Sequence, residues 1–336
     1  GFEIRSRRGH RSAVIAWAET ARAGRAAARP FRIDRITWPE DNPHDSWMRF
    51  GAFDLVPSGA EEGPTSAVIA TWSGDAWRVD GLDEDLDELT WQRVATGLNQ
   101  PFGVLCEEKS TLVLGRDQIT KLVDSSGDGE ADLHACLSNA PRNSEHFHEP
   151  ASGLLRGPGG RLHWVKAARH AKRALHDQHG AIVRLRPDGE GTEVIARGLR
   201  APIGLTMLPD GALLCSDQEG HWTPANRINL VRPDAAAPPF LGNGWAAQSG
   251  PVARRREGRE AVQVPWPADA EMVPPLCWIH PSVDRSPSSQ VLADHPAWGP
   301  LQGRILGLSY GTGEVYLVLR EDVPAPDGGV ITQDRK

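Results

Sequence analysis

Ala95-Thr-Gly-Leu-Asn-Gln-Pro-Phe-Gly103 returns as Ala196-Arg-Gly-Leu-Arg-Ala-Pro-Ile-Gly204, 101 residues further on, and both copies lead into an apolar run. A second echo falls at half that distance: Gly157-Pro-Gly-Gly-Arg-Leu-His-Trp164 against Leu208-Pro-Asp-Gly-Ala-Leu-Leu-Cys215, offset by 51 residues. A period of about 50 residues, punctuated by Pro and Gly turns, points to the blades of a β-propeller. Each blade buries its faces only against its neighbours, so the repeat argues for one large domain. It also fixes where chemistry belongs, because loops at one end of a central channel converge.

Strand signals begin near residue 31. The run 31–38 alternates apolar and polar residues, as a half-buried strand does. Residues 67–72 and 76–79 read as a hairpin around Ser73-Gly74-Asp75, and 112–114 pairs with 119–123 around Arg116-Asp117-Gln118. The register set by the repeat starts inner strands near Phe50, Phe102, Ser152 and Ile203, and a fifth near Asp284, with later strands at 304–308, 314–319 and 330–332. Between blades four and five lies a Pro-rich, charge-mixed insertion at 233–275, and residues 1–29 read as a loose or helical lead-in. The expected fold is therefore all-β: a six-bladed β-propeller over 30–336, truncated so that about five blades are present. The strand at 31–38 is expected to close the ring as the outer strand of the last blade.

Composition narrows the function. A net charge of −7 and a pI near 6.0 argue against a nucleic-acid footprint, which is basic and clustered. No apolar run approaches the roughly 18 residues of a membrane span. The four cysteines show no CxxC and no CxxCH, which excludes a zinc ribbon or a covalent c-type haem within this chain. Cys106 and Cys215 sit in apolar runs and read as small buried thiols. No Gly-rich phosphate loop and no Gly-x-Ser-x-Gly elbow appears.

Two segments carry metal-ligand or acid–base chemistry. Asp124-Ser-Ser-Gly-Asp-Gly-Glu-Ala-Asp132 places oxygens at Asp124, Asp128 and Asp132 with calcium-loop spacing, although Ala135 stands where a bidentate carboxylate belongs; the same residues also suit a metal-free Asp/Gly turn. Glu145-His-Phe-His-Glu149 would, in a strand, put His146 and His148 on one face beside Glu149, able to bind a metal or supply a base. Comparable polar clusters recur in other blades: Arg116-Asp117, Arg169-His170, Gln178-His179, Asp217-Gln218 with Gly220 and His221, and Asp284-Arg285. Recurring beside inner strands, they are expected to ring one channel mouth.

The stretch from Gly198 to His221, continued through Arg227-Ile-Asn-Leu230, resembles the soluble PQQ-dependent sugar dehydrogenases, which are six-bladed propellers. From Asp41 to about Tyr316 the chain resembles more closely a bacterial propeller family often labelled membrane-bound dehydrogenase-like, exported and frequently fused to c-type cytochrome domains. The phrases that carry this are Trp47-Met-Arg-Phe-Gly51, Trp72-Ser-Gly-Asp75, Arg116-Asp-Gln-Ile119, Asp128-Gly-Glu-Ala-Asp132, Glu145-His-Phe-His-Glu149, Asp217-Gln-Glu-Gly-His-Trp-Thr-Pro224 and Asp284-Arg-Ser-Pro287. The resemblance implies PQQ and calcium as cofactors, with Arg200, Gln218, Gly220 and His221 around the quinone and Gly220-His221 carbonyls on calcium. It implies His148, Arg200 and Asp217 as catalytic residues, with Ala201 where the family has Asn and Tyr310 near the place of a Lys. It further implies a carbohydrate or polyol substrate, a c-type cytochrome acceptor, and a periplasmic or extracellular location. Two other functions fit the same residues: a quinone-independent carbohydrate lyase or hydrolase, and a non-catalytic glycan- or protein-binding propeller.

Overall fold

The computed structural model describes residues 4–6, 10–13, 33–58, 65–83, 86, 88–169, 174–220, 223, 225–244, 271–324 and 330–335. Five antiparallel sheets follow one another along the chain as the blades of a propeller. Blade one runs Phe50–Leu55, Ser66–Thr71, Ala76–Asp80 and Leu89–Ala95. Blade two runs Gly103–Glu107, Ser110–Leu114, Ile119–Val123 and Leu133–Ser138. Blade three runs Ala151–Arg156, Leu162–Lys166, Ala181–Leu185 and Thr192–Arg197. Blade four runs Leu205–Met207, Leu213–Asp217, Asn226–Val231 and Cys277–Ile279, and blade five Pro287–Ala293, Arg304–Ser309, Val315–Pro324 and Val330–Arg335. The first strand of each blade packs beside the first strand of the next, and these inner strands begin within three residues of the expected starts.

The core is divided among the seams between blades. Val68 and Ala70 of blade one meet Val104 and Val113 of blade two; Leu114 and Ile119 meet Leu154 and Trp164; Val165 and Ile182 meet Leu205 and Leu213; Leu214 and Ile228 meet Ile305 and Val318. Neighbours Trp164 and Val165 thus serve opposite seams, which is why strand 162–166 is buried at every position rather than alternating. Cys106 and Cys215 are buried in these seams, and burial pushes the Cys106 thiol up to about 11.

The repeated phrase has a physical cause at each fixed position. Its first glycine, Gly97 or Gly198, has φ of +79° or +85°, a left-handed turn that glycine adopts without strain. The leucine that follows ties the turn back to its own blade: Leu98 N donates to Gly74 O at 2.9 Å, and Leu199 N to Gly180 O at 3.0 Å. The last glycine starts the next inner strand, where backbones approach closely. A β-carbon at Gly204 would lie 2.5 Å from Ser289 Cα, and one at Gly103 would lie 2.9 Å from Leu154 Cβ. Gly204→Ala is therefore expected to cost about 1–3 kcal/mol through overpacking, read from urea unfolding; unchanged stability would contradict this close approach.

The N-terminal region departs from expectation. Ile33–Ile36 is a strand, but it pairs with His10–Ala13 in a separate two-stranded sheet and joins no blade. Alternation reveals a strand's faces, not its partner. Ile4–Ser6, in the stretch read as loose or helical, adds a fifth strand to blade one beside Leu89–Ala95. The segment after Ile36 then covers blade one, where Ile36 and Met48 pack on Trp77 and Trp91, and Trp91 Nε1 donates to Thr37 O at 3.1 Å. The insertion falls between the third and fourth strands of blade four, and its described part follows the outer edge of blade three: Leu241 N donates to Arg197 O and Asn243 N to Gly198 O, at 2.8 and 2.7 Å. Residues 245–270 of the insertion lie outside the described residues. Among the described residues no helix is long and apolar enough to cross a membrane.

Candidate active site at the channel mouth

Because the chain reverses at every strand, the segment entering each inner strand and the loop between second and third strands emerge at the same end. Except for the 124–132 loop, the described residues of the polar clusters singled out in the sequence fall in or at the edge of those segments, and hydrogen bonds link them from blade to blade. Arg116 N donates to Asn99 O at 3.0 Å, and its guanidinium donates to Ser144 O and His146 O at 2.9 and 2.8 Å. Ala168 N donates to Arg200 O at 2.9 Å, Arg200 Nη1 to Gln218 Oε1 at 2.9 Å, and Gln218 Nε2 to Ser286 Oγ at 2.5 Å. The circuit runs through four blades, from two to five.

At its centre is Glu149, fully buried at 0 % exposure. His179 Nε2 lies 2.5 Å from Glu149 Oε2, Ser144 donates through both N and Oγ, and Arg116 and Arg169 stand at 3.5 and 3.9 Å. Lys166 Nζ donates to the Glu149 carbonyl at 2.5 Å. Burial alone would raise the carboxyl pKa; the bonds from His179 and Ser144 and the charge of Lys166 outweigh it and hold Glu149 at about 2. Burial pulls the Lys166 amine down to about 8. Since the folded pKa of Glu149 is depressed, its contribution is present above the ordinary carboxyl value and lost as pH falls from about 4.5 to about 2. We expect stability to fall by on the order of 2–3 kcal/mol across that window, with a flatter profile in Glu149→Gln, measured by urea unfolding at stepped pH.

The 145–149 segment is a turn rather than the strand expected. Ser144 Oγ accepts from His146 N at 3.2 Å and His146 Nδ1 accepts from His148 N at 3.3 Å, so local side-chain bonds to the backbone displace strand geometry. The outcome separates four roles read as one cluster. Glu149 turns inward, Glu145 pairs with Arg169 at 2.6 Å, Phe147 is exposed and packs on His148, and His148 faces solvent. Partial burial, then the charge of Arg200, pushes the His148 pKa down. The imidazole is thus neutral at pH 7, the form that takes a proton.

Asp217, expected among the catalytic groups, is fully buried. Its oxygens accept from Arg200 N at 3.1 and 3.0 Å, from Ala201 N at 2.7 Å, and from Arg227 Nη2 at 2.5 Å. It acts by positioning the Arg200 backbone. Asp284 is also inward: Oδ1 accepts from Ser286 N and Ser309 Oγ, and Oδ2 from Tyr316 Oη, at 3.0, 2.6 and 3.0 Å. Arg285 and Asp117 remain exposed on the rim. His170 and His221 lie outside the described residues.

The 124–132 loop lies at the opposite end. Asp124 accepts from Gly127 N and Gly129 N at 2.7 and 2.8 Å, Asp132 from Ser125 N and Ser126 N at 2.7 and 2.8 Å, and Asp128 from Glu130 N at 2.9 Å. These bonds hold the Asp124 and Asp132 carboxyls below their usual range. The loop also docks on blade one through Arg93–Glu130 at 3.0 Å. Its geometry is that of an Asx-rich turn, and among the described residues no group of three or more His, Cys, Asp and Glu side chains is arranged to hold a metal ion.

A different oxygen cradle stands at Gly220. A β-carbon there would lie 3.0 Å from Asn243 Oδ1, 3.1 Å from Arg200 Cδ and 3.2 Å from Thr223 Oγ1. Asn243 Oδ1, Thr223 Oγ1 and Glu219 Oε2 are buried without a hydrogen bond among the described residues. Two neutral oxygens left unpaired beside one glycine, with an unpaired carboxylate oxygen on the residue before it in sequence, are of the donor type a hard divalent cation takes. The Nε groups of Arg116 and Arg200 are likewise buried without a partner there, and such donors fit an anionic organic cofactor. Sequence reasoning missed Lys166, Asn243, Thr223 and Ser286. Lys166 ends an otherwise apolar strand, a signal that was available; Asn243 is carried in by the insertion and left no trace in the repeat.

No family model matches the chain, and no curated protein matches it. Solved structures do resemble it. The holo form of a pyranose dehydrogenase PQQ domain from Coprinopsis cinerea superposes with a TM-score of 0.55 at 11% identity, over 85% of this chain and 82% of that one. A soluble aldose sugar dehydrogenase from Escherichia coli, in its apo form, gives 0.53 at 14% identity over 86% and 93%. A glucose dehydrogenase-type oxidoreductase from Thermus thermophilus gives 0.52 at 16% identity over 83% and 92%. At these identities the likeness establishes a shared propeller architecture.

Proposed function

We propose that this protein is a PQQ-dependent sugar or polyol dehydrogenase working at the channel mouth. The observation that carries the reading is one hydrogen-bonded circuit that gathers a neutral His148, the Arg200 guanidinium and the Gly220 oxygen cradle at the same end of the propeller. Glu219, Thr223, Asn243 and Gly220 would hold calcium, and Arg200, Arg116 and Gln218 would hold the quinone. When bound, that pair supplies a two-electron acceptor polarised by a Lewis acid.

The chain's own residues then have separable tasks. His148 takes the hydroxyl proton of the substrate as its C–H electron pair leaves with hydride, so an alcohol becomes a carbonyl. Glu149 and His179 hold the turn that carries His148. Asp217, clamped by Arg227, fixes the backbone of Arg200, whose charge adds to partial burial in pushing the His148 pKa down. The reading brings with it an exported location and a c-type cytochrome as electron acceptor, both implied by the family resemblance.

A sixth blade belongs to the same proposal. Phe53 and Leu55 of blade one, on the face turned from blade two, and Val291, Val315 and Leu319 of blade five are exposed apolar strand residues, and a further four-stranded blade between those faces would cover them.

The test is dye reduction by protein supplied with PQQ and calcium over a panel of aldoses and polyols. Reduction that requires both additions supports the reading. Its absence under conditions where a known sugar dehydrogenase is active contradicts it.

A further inference from the structure

The hydrogen-bonded circuit of the mouth runs from blade two to blade five, and an aromatic platform continues it into blade one. Trp47 and Arg49 stand in the segment that enters the first strand of blade one, Trp72 follows its second strand, and Phe102 enters blade two. All four therefore lie at the mouth end. The Arg49 guanidinium is 5.3 Å from the centre of the Trp47 ring and 4.5 Å from that of Trp72, and Trp72 meets Phe102 edge-on at 4.9 Å. Backbone ties hold the stack: Trp72 N donates to Arg49 O at 2.7 Å, and Ser73 Oγ to Trp47 O at 3.1 Å. Met48, between the two, packs with Trp77 and Trp91 on the face turned from blade two, so Trp47 and Arg49 belong to the opposite side, not to the face a sixth blade would cover. Trp47 is nonetheless 60 % exposed, and the Arg49 guanidinium makes no hydrogen bond or ion pair among the described residues.

The platform is joined to the turn that carries His148. Two residues before Phe102, Gln100 takes a φ of +44°, uncommon for a residue other than glycine, and its Oε1 accepts from Arg116 Nη1 at 3.2 Å. Arg116 Nη2 in turn holds Ser144 O and His146 O. In that turn a second exposed aromatic, Phe147, packs on His148 with ring centroids 3.8 Å apart.

A pyranose has an apolar face of C–H groups and a rim of hydroxyls. An exposed indole takes the C–H face out of water against its electron-rich surface, and a guanidinium stacked on aromatic rings keeps its N–H edge for the hydroxyls. A nucleic-acid base would also stack, but a chain of net charge −7 repels the phosphates that come with it. We propose that this mouth takes a glycan chain, with one ring stacked on Trp47 beside Arg49 while the ring at the chain end is oxidised at His148. The oxidation rests on the dehydrogenase reading; the stacking site rests on the blade-one platform alone.

Two measurements separate them. First, cellotetraose, maltotetraose and xylotetraose are titrated calorimetrically into the cofactor-free full chain. At least one is expected to bind saturably, about tenfold or more weaker in Trp47→Ala, with part of the loss recovered in Trp47→Phe, which keeps a ring. An unchanged urea midpoint in Trp47→Ala, expected of so exposed a side chain, separates lost binding from lost folding. Second, in protein supplied with PQQ and calcium, kcat/KM for the bound tetraose relative to D-glucose should fall about tenfold or more in Trp47→Ala. Trp47-dependent tetraose binding without oxidation of any sugar overturns the dehydrogenase reading and leaves the stacking site standing. Absence of Trp47-dependent binding of all three, whether or not glucose is oxidised, overturns the present proposal, as does glucose oxidation with a ratio that Trp47→Ala does not move.

Discussion

His148→Ala is expected to lower the sugar-oxidation rate by about 10²–10⁴-fold, the usual contribution of a positioned general base. His146→Ala should cost far less. The two imidazoles sit in one turn with ring centroids 5.9 Å apart, and partial burial, then Arg200, pushes the His148 pKa down. His146 instead spends its Nδ1 as acceptor for the His148 backbone N–H, so its loss loosens the turn without removing the base. The acid limb of the wild-type pH–rate profile should lie below the ordinary histidine value of 6.5, and Arg200→Gln should move it upward. Steady-state kinetics across pH 4–9 on the three variants checks all of this. Equal losses in His146→Ala and His148→Ala would mean that the turn, not the base, was removed.

Arg227→Ala should destabilise the protein by about 3–5 kcal/mol, the cost of stranding one member of a buried ion pair. Both Arg227 and Asp217 are at 0 % exposure with 2.5 Å between Nη2 and Oδ2. Burial already pushes the Asp217 carboxyl up, and Arg227 is the largest opposing influence. Without the guanidinium the carboxyl moves further toward its neutral form and holds the N–H groups of Arg200 and Ala201 less firmly. The double variant Arg227→Met with Asp217→Leu should regain much of the stability, because an apolar pair of similar volume needs no desolvation. It should not regain cofactor affinity, since the carboxylate that holds the Arg200 and Ala201 N–H groups is gone. Urea unfolding gives the first quantity and equilibrium cofactor titration the second; a single variant within about 1 kcal/mol of wild type contradicts the account.

The blades were legible in the sequence for a local reason. The repeated Ala-x-Gly-Leu-x-x-Pro-x-Gly phrase encodes a left-handed turn and a close approach between inner strands, and both demands fall on glycine at the entries to blades two and four. Inner strand starts therefore came out within three residues. The partner of Ile33–Ile36 was not legible, because period-two alternation carries no information about which edge a strand meets. The 145–149 segment misled for a related reason: its spacing fits a strand, while Ser144 and His146 side chains satisfy the backbone in a turn.

The site was legible as a place more than as a set of roles. Recurrence beside inner strands put Arg116, Glu149, Arg169, Arg200, Asp217 and Asp284 at one end, where the hydrogen-bond circuit joins them. Which of them face the ligand was hidden, since burial of Glu149, Asp217 and Asp284 depends on contacts made far along the chain. Glu149 meets His179, 30 residues away, and the cradle at Gly220 depends on Asn243 from the insertion.

The central claim is that this mouth binds a quinone through Arg200 beside a cation at Gly220, and equilibrium titration of PQQ into calcium-supplied protein, followed by absorbance, tests it without relying on turnover. The account predicts saturable binding that is lost on chelating calcium and weakened about tenfold or more in Arg200→Ala. Binding that neither chelation nor Arg200→Ala alters, or no saturable binding, would contradict it.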